Sequence, residues 1–184
     1  MVGPKQTALK IPAGLRAKLR RIKLLLCDVD GVLTDGTVLI GGGMELKRFN
    51  IQDGLGLVAI RREGIKVGWI SSRPSPATSQ RADELKIDFI VQRKGSKVAA
   101  VDQLLSETGL GWEEVCFVGD DIVDIGPLQR AGVAIAVANA VAETKAAAEY
   151  VTKAPGGYGA VREVVELILT AQNKWRRIVA SHAS

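Results

Sequence analysis

Short apolar runs alternate with longer stretches of mixed polarity along most of the chain, and the two periods separate strands from helices. "LLLC" (24–27), "KVGWI" (66–70), "DFIV" (88–91), "VCFVG" (115–119) and "VAIAV" (133–137) are brief, nearly continuous apolar runs, the mark of strands covered on both faces. Between them, "DGLGLVAIRREG" predicts a helix from near Asp53 to Gly64, and "SPATSQRADEL" a second. "SKVAAVDQLLSETG" predicts a third with Ser96 as N-cap, "DIVDIGPLQRAG" a fourth and "AVAETKAAAEY" a fifth, while "GAVREVVELILTAQNKWRRIVA" reads as one long C-terminal helix. "TVLIG" and "ELKRF" flank "GGM", which predicts a β-hairpin after the first strand. Strands alternating with helices imply βαβ units, so the expected class is α/β, a mainly parallel, Rossmann-like sheet flanked by helices.

In such sheets ligands collect beyond the carboxyl ends of the strands. Three polar clusters follow three strands: Asp28 and Asp30 after "LLLC", Ser71 and Ser72 after "KVGWI", and "GDDIVD" (119–124) after "VCFV". If extended geometry persists past the first strand, Asp28 and Asp30 leave it on the same side. Two carboxylates so close repel, and a shared proton, a basic side chain or a bound cation must offset them. The plain alternative is a solvated turn bent at Gly31.

Composition narrows the class. At 184 residues, 47% hydrophobic and 24% charged, the chain has the size and balance of one folded domain. Its net charge of +5 is uneven: residues 1–23 carry seven Lys or Arg and no acid, leaving 18 basic against 20 acidic residues in the rest. We therefore divide the chain into a basic N-terminal segment, 1–21, and a single domain, 22–184. No aromatic residues interleave the basic ones, so a solvated tail is preferred to a nucleic-acid or membrane arm. Leu15, Leu19 and Ile22 nevertheless recur at helical spacing and leave open a short helix docked on the domain. Cys27 and Cys116 sit in apolar runs and read as reduced core residues of a cytoplasmic protein. No signal peptide or transmembrane span is expected, and His182 in the polar terminus carries no role.

The predicted rim holds Asp28, Asp30, Asp120, Asp121 and Asp124, more carboxylates than one pocket tolerates without a cation. Oxygen donors without histidine or paired cysteine favour Mg2+, which commonly shares its shell with phosphate. Ser71 could donate to a phosphoryl oxygen and Lys97 balance its charge, with Lys94 the weaker candidate. A carboxylate can attack phosphorus to form an aspartyl phosphate that water then hydrolyses. Asp28 would attack, and Asp30 would protonate the leaving alcohol and later activate water.

"DVDGVLTDG", "ISSR", "KGSK" and "GDDIVD", in this order, resemble the four motifs of the haloacid dehalogenase superfamily of aspartate-nucleophile phosphatases. The resemblance runs on through "ELKRFNIQDGLG" and "YVTKAPGGYGAVREV", spanning Ile22 to about Lys174, and narrows to phosphatases of eight- and nine-carbon keto-acid sugars. It implies Asp28 as nucleophile, Asp30 as acid/base whose backbone carbonyl faces the metal, and Asp120 as the third magnesium ligand. It implies Ser71 and Lys97 at the phosphoryl group, with Asp121 and Asp124 in support behind the ligands. Ser71 is more often Thr in this family, and Ser72 stands where Gly is usual. Too little chain lies between Asp30 and Ser71 for a cap domain, and the resemblance implies that hairpins from several subunits meet in a homotetramer instead. The expected substrate is a 3-deoxy-2-keto sugar acid phosphate of eight carbons, with nine as the alternative. Arg73 is expected to fork its carboxylate, assisted by Arg81 and by Lys47 from a neighbouring hairpin.

Two other classes use similar residues. A phospho-accepting receiver domain places its acceptor after the third strand, whereas here the DxD pair follows the first. A non-catalytic assembly module would not need every motif residue that this chain retains. "GGYG" (156–159) is either a flexible connection or a loop that approaches the active site. Trp69, Trp112 and Phe117 are expected in the core.

Overall fold

The computed structural model describes residues 11–182. Helix α1 (Ala13–Leu19) precedes strand β1 (Leu24–Cys27), and the hairpin follows as β2 (Leu39–Gly41) and β3 (Met44–Leu46). Then come α2 (Ile51–Arg62), β4 (Lys66–Ser71), α3 (Pro76–Leu85), β5 (Phe89–Gln92), α4 (Lys97–Thr108) and β6 (Val115–Gly119). The chain closes with α5 (Ile125–Arg130), β7 (Val133–Ala136), α6 (Ala142–Ala146), β8 (Tyr150–Val151), α7 (Ala160–Ala171) and α8 (Trp175–Ser181). Six strands form one sheet in the order β5-β4-β1-β6-β7-β8, and every neighbouring pair is parallel. The α/β expectation holds, with the hairpin as a separate two-stranded sheet.

Burial on both faces explains the continuous apolar runs. Leu25 and Cys27 of β1, with Cys116 and Val118 of β6, pack on a layer built from α1, α2 and α7. Leu24 and Leu26, with Val115 and Phe117, face Ala100, Val101, Leu104 and Leu105 of α4. Strand alternation thus feeds two cores from one run. Trp69 and Phe117 are fully buried, as expected, whereas Trp112 is half-buried and donates from Nε1 to Asp102. Cys27 and Cys116 are free and buried.

Four local expectations change. Of the two readings of the basic segment, the docked helix is found: Leu15, Leu19 and Ile22 are in the core, and Arg20 donates to the Ala171 carbonyl at 3.1 Å. Residues 1–10, with Lys5 and Lys10, lie outside the described residues. Helix α2 starts at Ile51, because Asn50 caps it by accepting from the Gln52 and Asp53 amides at 2.7 and 3.3 Å. The fifth helix ends at Ala146, and Tyr150 instead opens strand β8 beside Ile135 of β7. Sheet pairing there, reinforced by the Tyr150 hydroxyl donating to Glu163 at 2.6 Å, overrides the helical propensity of the alanines. The long C-terminal helix is two: Asn173 adopts φ +60°, and Lys174 reaches back to the Glu63 carbonyl at 2.9 Å.

The hairpin turn is Gly42-Gly43, with φ of +57° and +75°, the left-handed pair that a two-residue turn needs. Its Leu39, Ile40, Met44 and Leu46 are 57–79% exposed. Glu45 and Lys47, alternate residues of the returning arm, turn instead toward the end of the main sheet.

Candidate active site

Strand geometry does not persist beyond Cys27, and this decides where the paired aspartates go. Asp28, 6% exposed, turns inward to Lys97, whose Nζ lies 2.6 Å from its Oδ1. Asp30 turns the other way, and its Oδ1 lies 2.7 Å from the ammonium of Lys47. The two carboxylates face different lysines.

Lys97 is carried at the first position of α4, where Ser96 caps the helix by accepting from the Ala99 amide at 3.3 Å. It is buried and also contacts Asp124 at 2.7 Å. Burial opposes its charge, but Asp28 and Asp124 outweigh that and raise its pKa. Lys94 is exposed and takes no part. Asp124 is fully buried, and its second oxygen accepts from the backbone amides of Asp120 and Asp121 at 3.1 and 3.4 Å, which folds the "GDDIVD" turn. Asp121 is exposed and accepts from the Ile122 amide at 2.7 Å, so its carboxylate serves the turn.

Carboxylate oxygens of Asp28, Asp120 and Asp124 all lie within 4.8 Å of one another. Three carboxylates against one lysine leave an excess of negative charge, and Asp120 Oδ1 is buried without a hydrogen-bond partner. Burial first, then the charge of Asp124, pushes Asp28 up to about 6 despite Lys97. Burial together with Asp28 and Asp124 pushes Asp120 up to about 8. An orphaned carboxylate oxygen in an all-oxygen, charge-deficient cluster fits a hard divalent cation. The side chain of Asp30 is outside this cluster.

Close backbone approach builds the floor. Gly31, at φ +100°, lies so near Asp120 that a Cβ would fall 2.0 Å from its Oδ2. Gly156 in turn lies on Gly31, where a Cβ would fall 1.6 Å from the Gly31 carbonyl oxygen, and the Gly157 amide donates to Val32 at 3.0 Å. "GGYG" is therefore a packed brace against the loop that carries Asp30. Asp53 anchors it from α2, accepting from the amides of Gly159 at 3.3 Å and Arg162 at 2.6 Å at the start of α7. The sequence predicts Asp53 only as a helix start; nothing local to "QDGLG" reveals a partner more than 100 residues away.

The Ser71 hydroxyl, at the end of β4, accepts from the Arg73 amide at 3.0 Å and donates to the Arg73 carbonyl at 3.1 Å. Ser72 joins Gly95, Ser96, Lys97, Val123 and Pro127 around a cavity of about 270 Å3. Arg73 Nη2 pairs with Glu45 of β3 at 2.6 Å, while its Nη1 is buried without a partner. Glu45 also accepts from the Ser75 hydroxyl at 2.6 Å. Arg81 is not brought to Arg73: it packs on Gly54 of α2 and pairs with Glu84 at 2.7 Å. The placement of Lys47 from a neighbouring hairpin is corrected, since its side chain is fully buried against Asp30 of its own chain. Glu45 is not among the residues the sequence motifs single out; its alternation with Lys47 toward one face is the signal the sequence offers.

Residues 69–163 match the haloacid dehalogenase-like hydrolases. The chain is 39% identical over 165 residues to 3-deoxy-D-manno-octulosonate 8-phosphate phosphatase of Escherichia coli (strain B / BL21-DE3), covering 89% of this chain and 88% of that one. It superposes with a TM-score of 0.89 and 40% identity on the phosphatase of the same name from Moraxella catarrhalis, solved with magnesium ion, phosphate ion and KDO, over 91% of this chain and 97% of that one. The cobalt-bound deoxy-D-mannose-octulosonate 8-phosphate phosphatase of Haemophilus influenzae gives 0.83 at 37% identity, over 85% and 92%. Motif order, the buried carboxylate cluster and these likenesses together establish that the chain belongs to the haloacid dehalogenase-like hydrolases.

Proposed function

We infer that the protein is a magnesium-dependent phosphatase of a 3-deoxy-2-keto sugar acid phosphate, with 3-deoxy-D-manno-octulosonate 8-phosphate as substrate. The observation that carries this reading is the pairing of Asp28 and Asp30 with separate lysines on one rim, beside a carboxylate cluster short of positive charge. The likeness to 3-deoxy-D-manno-octulosonate 8-phosphate phosphatases, one of them solved with magnesium and phosphate, supports both substrate and metal.

Asp28 attacks phosphorus, and the bond to the sugar oxygen breaks as Asp30 donates its proton to that oxygen. Asp30, now a carboxylate, takes a proton from water, and the hydroxide displaces Asp28 from phosphorus. Asp28 is thereby restored as a carboxylate and inorganic phosphate leaves. Lys97 holds Asp28 in line and offsets charge on the phosphoryl oxygens, with Ser71 donating to one of them. Magnesium would be held by Asp28, Asp120 and the Asp30 backbone carbonyl, and would supply the positive charge the cluster lacks. Asp124 fixes Lys97 and the turn, and Asp121 secures that turn from outside. Arg73 is proposed for the sugar carboxylate, with its unpartnered Nη1 as the available donor.

The exposed apolar hairpin supports a homotetramer in which hairpins cover one another. The two cysteines are free and buried, which supports a cytoplasmic setting; no helix among the described residues is long and apolar enough to cross a membrane. The balance of charge beyond residue 23 speaks against nucleic acid as a partner. The test is phosphate release from the eight-carbon and nine-carbon keto-acid phosphates, with magnesium and after exhaustive chelation. Release from the eight-carbon compound that stops on chelation and returns with magnesium is expected. Preference for the nine-carbon compound would reassign the substrate, and undiminished release after chelation would remove the metal.

A further inference from the structure

Beside Asp30 lies a lysine that the phosphatase chemistry described above leaves without a defined task. Lys47 belongs to the returning arm of the hairpin, one residue past β3, yet its side chain is completely buried. Its ammonium lies 2.7 Å from Asp30 Oδ1, in ionic contact rather than in an aligned hydrogen bond, and donates to Thr78 Oγ1 at 3.2 Å. Glu45 Oε1 is 3.9 Å away. Thr78 is itself fully buried in the first turn of α3 and fixed through Ser75, whose hydroxyl accepts from the Thr78 amide at 3.3 Å. The ammonium is therefore held from the main domain side by Thr78 and from the hairpin side by its own stem, and Asp30 is the nearest charge on which it acts.

We propose that Lys47 is the positioning residue for Asp30: the hairpin of the same chain clamps one oxygen of that carboxylate so that the other faces the leaving group. This rests on the reading of Asp30 as acid/base given above. A flexible aspartate in a loop beyond a strand end samples several rotamers, and an in-line proton donor must occupy one. Contact at Oδ1 leaves Oδ2 to carry the proton to the sugar oxygen in the first step and to receive one from water in the second. The hairpin then has a duty inside its own subunit, separate from any contact between subunits. Glu45, two residues earlier on the same arm, holds Arg73 and Ser75 and steadies the arm against α3.

The discriminating measurement compares leaving groups in K47M, which keeps most of the side-chain volume without the charge. A sugar alkoxide needs the proton from Asp30, whereas 4-nitrophenolate leaves without one. In single-turnover experiments with magnesium, K47M should lose about a hundredfold in the rate of sugar release and less than about threefold in nitrophenolate release. In multiple turnover with 4-nitrophenyl phosphate the variant should show a burst of about one nitrophenolate per chain, because removal of phosphate from Asp28 still needs Asp30 as base. T78V, which removes the anchor of Lys47 and leaves Lys47 in place, should reproduce the same pattern with a smaller loss, and K47R should recover part of the sugar release. Equal losses on both compounds in the first turnover, or a rise in KM alone, would assign Lys47 to phosphate binding and overturn the proposal. If K47M does not fold, T78V decides on the same two criteria. Wild-type protein that releases phosphate from neither compound would refute the phosphatase reading itself, an outcome distinct from either of these.

Discussion

Removing metal from this site should leave a protein whose stability falls as pH rises from 6 to 8, opposite to the behaviour of a fold held by surface ion pairs. Burial and the charges of Asp28 and Asp124 push Asp120 up to about 8, and burial with Asp124 pushes Asp28 up to about 6. A carboxyl with a raised pKa binds its proton more tightly folded than unfolded, so its contribution is complete below the unfolded value and is lost as pH climbs through the folded one. Asp28 loses its share between about 4 and 6, and Asp120 continues to about 8. One proton held across two pH units amounts to about 2.7 kcal/mol at about 1.4 kcal/mol per unit. Asp120 is only part-buried, and discounting for solvent screening leaves about 1–2 kcal/mol. For a chain of this size that lowers Tm by about 3–6 °C between pH 6 and 8. Carboxylates drawn below their usual range, such as Asp88 where burial is outweighed by Arg61, the Val67 amide and Lys66 together, titrate below this window. Magnesium binds the ionised form, so its stabilising effect should grow over the same interval. Differential scanning calorimetry with chelator and with magnesium, at both pH values, reads all four quantities. A metal-free Tm that is higher at pH 8, or a magnesium shift equal at the two, would refute the assignment of the cluster; D120N should flatten the metal-free slope.

Three further outcomes follow from particular contacts. D28N should abolish turnover with its fold intact, since an amide cannot attack phosphorus and Lys97 keeps Asp124 at 2.7 Å; circular dichroism with a phosphate-release assay decides, and sustained release by folded variant would exclude Asp28 as nucleophile. R73A should cost on the order of 2 kcal/mol, a factor of tens in kcat/KM, on the sugar acid phosphate and much less on a small ester lacking a carboxylate; equal losses would return Arg73 to its pairing with Glu45 alone. G156A should lower stability by about 2–3 kcal/mol in urea titration, because the new methyl meets the Gly31 carbonyl, and a change below about 0.5 kcal/mol would mean that the brace yields freely.

What could be read from the sequence was what local pattern determines. The central strands stood out because both faces are covered, and Ser96 stood out because a cap acts within three residues of itself. Asp28, Asp120 and Lys97 came together because strand ends in a parallel sheet share a rim. Contacts set by distant partners were not legible. Strand β8 is two residues long and exists because β7 offers an edge, and the break at Asn173 is where Lys174 finds the Glu63 carbonyl. Asp53 reaches Arg162, and Gly156 reaches Gly31, across more than a hundred residues. The amphipathic period of Leu15, Leu19 and Ile22 was visible, but the density of positive charge favoured a solvated tail; full burial of Leu19 settled it the other way.

The two-residue spacing of Asp28 and Asp30 finds its explanation in charge rather than in strand alternation. Had extended geometry continued past Cys27, both carboxylates would have faced one direction and competed for one cation or one proton. The chain leaves the strand at that point, and Gly31 bends it closely enough for Asp120 to approach. Asp28 then belongs to a cluster of three carboxylates and one lysine, a setting that calls for a metal. Asp30 meets a lysine of its own, from a different element, outside that cluster. Each carboxylate thus acquires its environment independently: Lys97 arrives on a capped helix from one side of the sheet and Lys47 on the hairpin from the other. In the proposed mechanism two side chains of one type, two residues apart, divide attack from proton transfer, because the groups that surround them are supplied by separate parts of the fold.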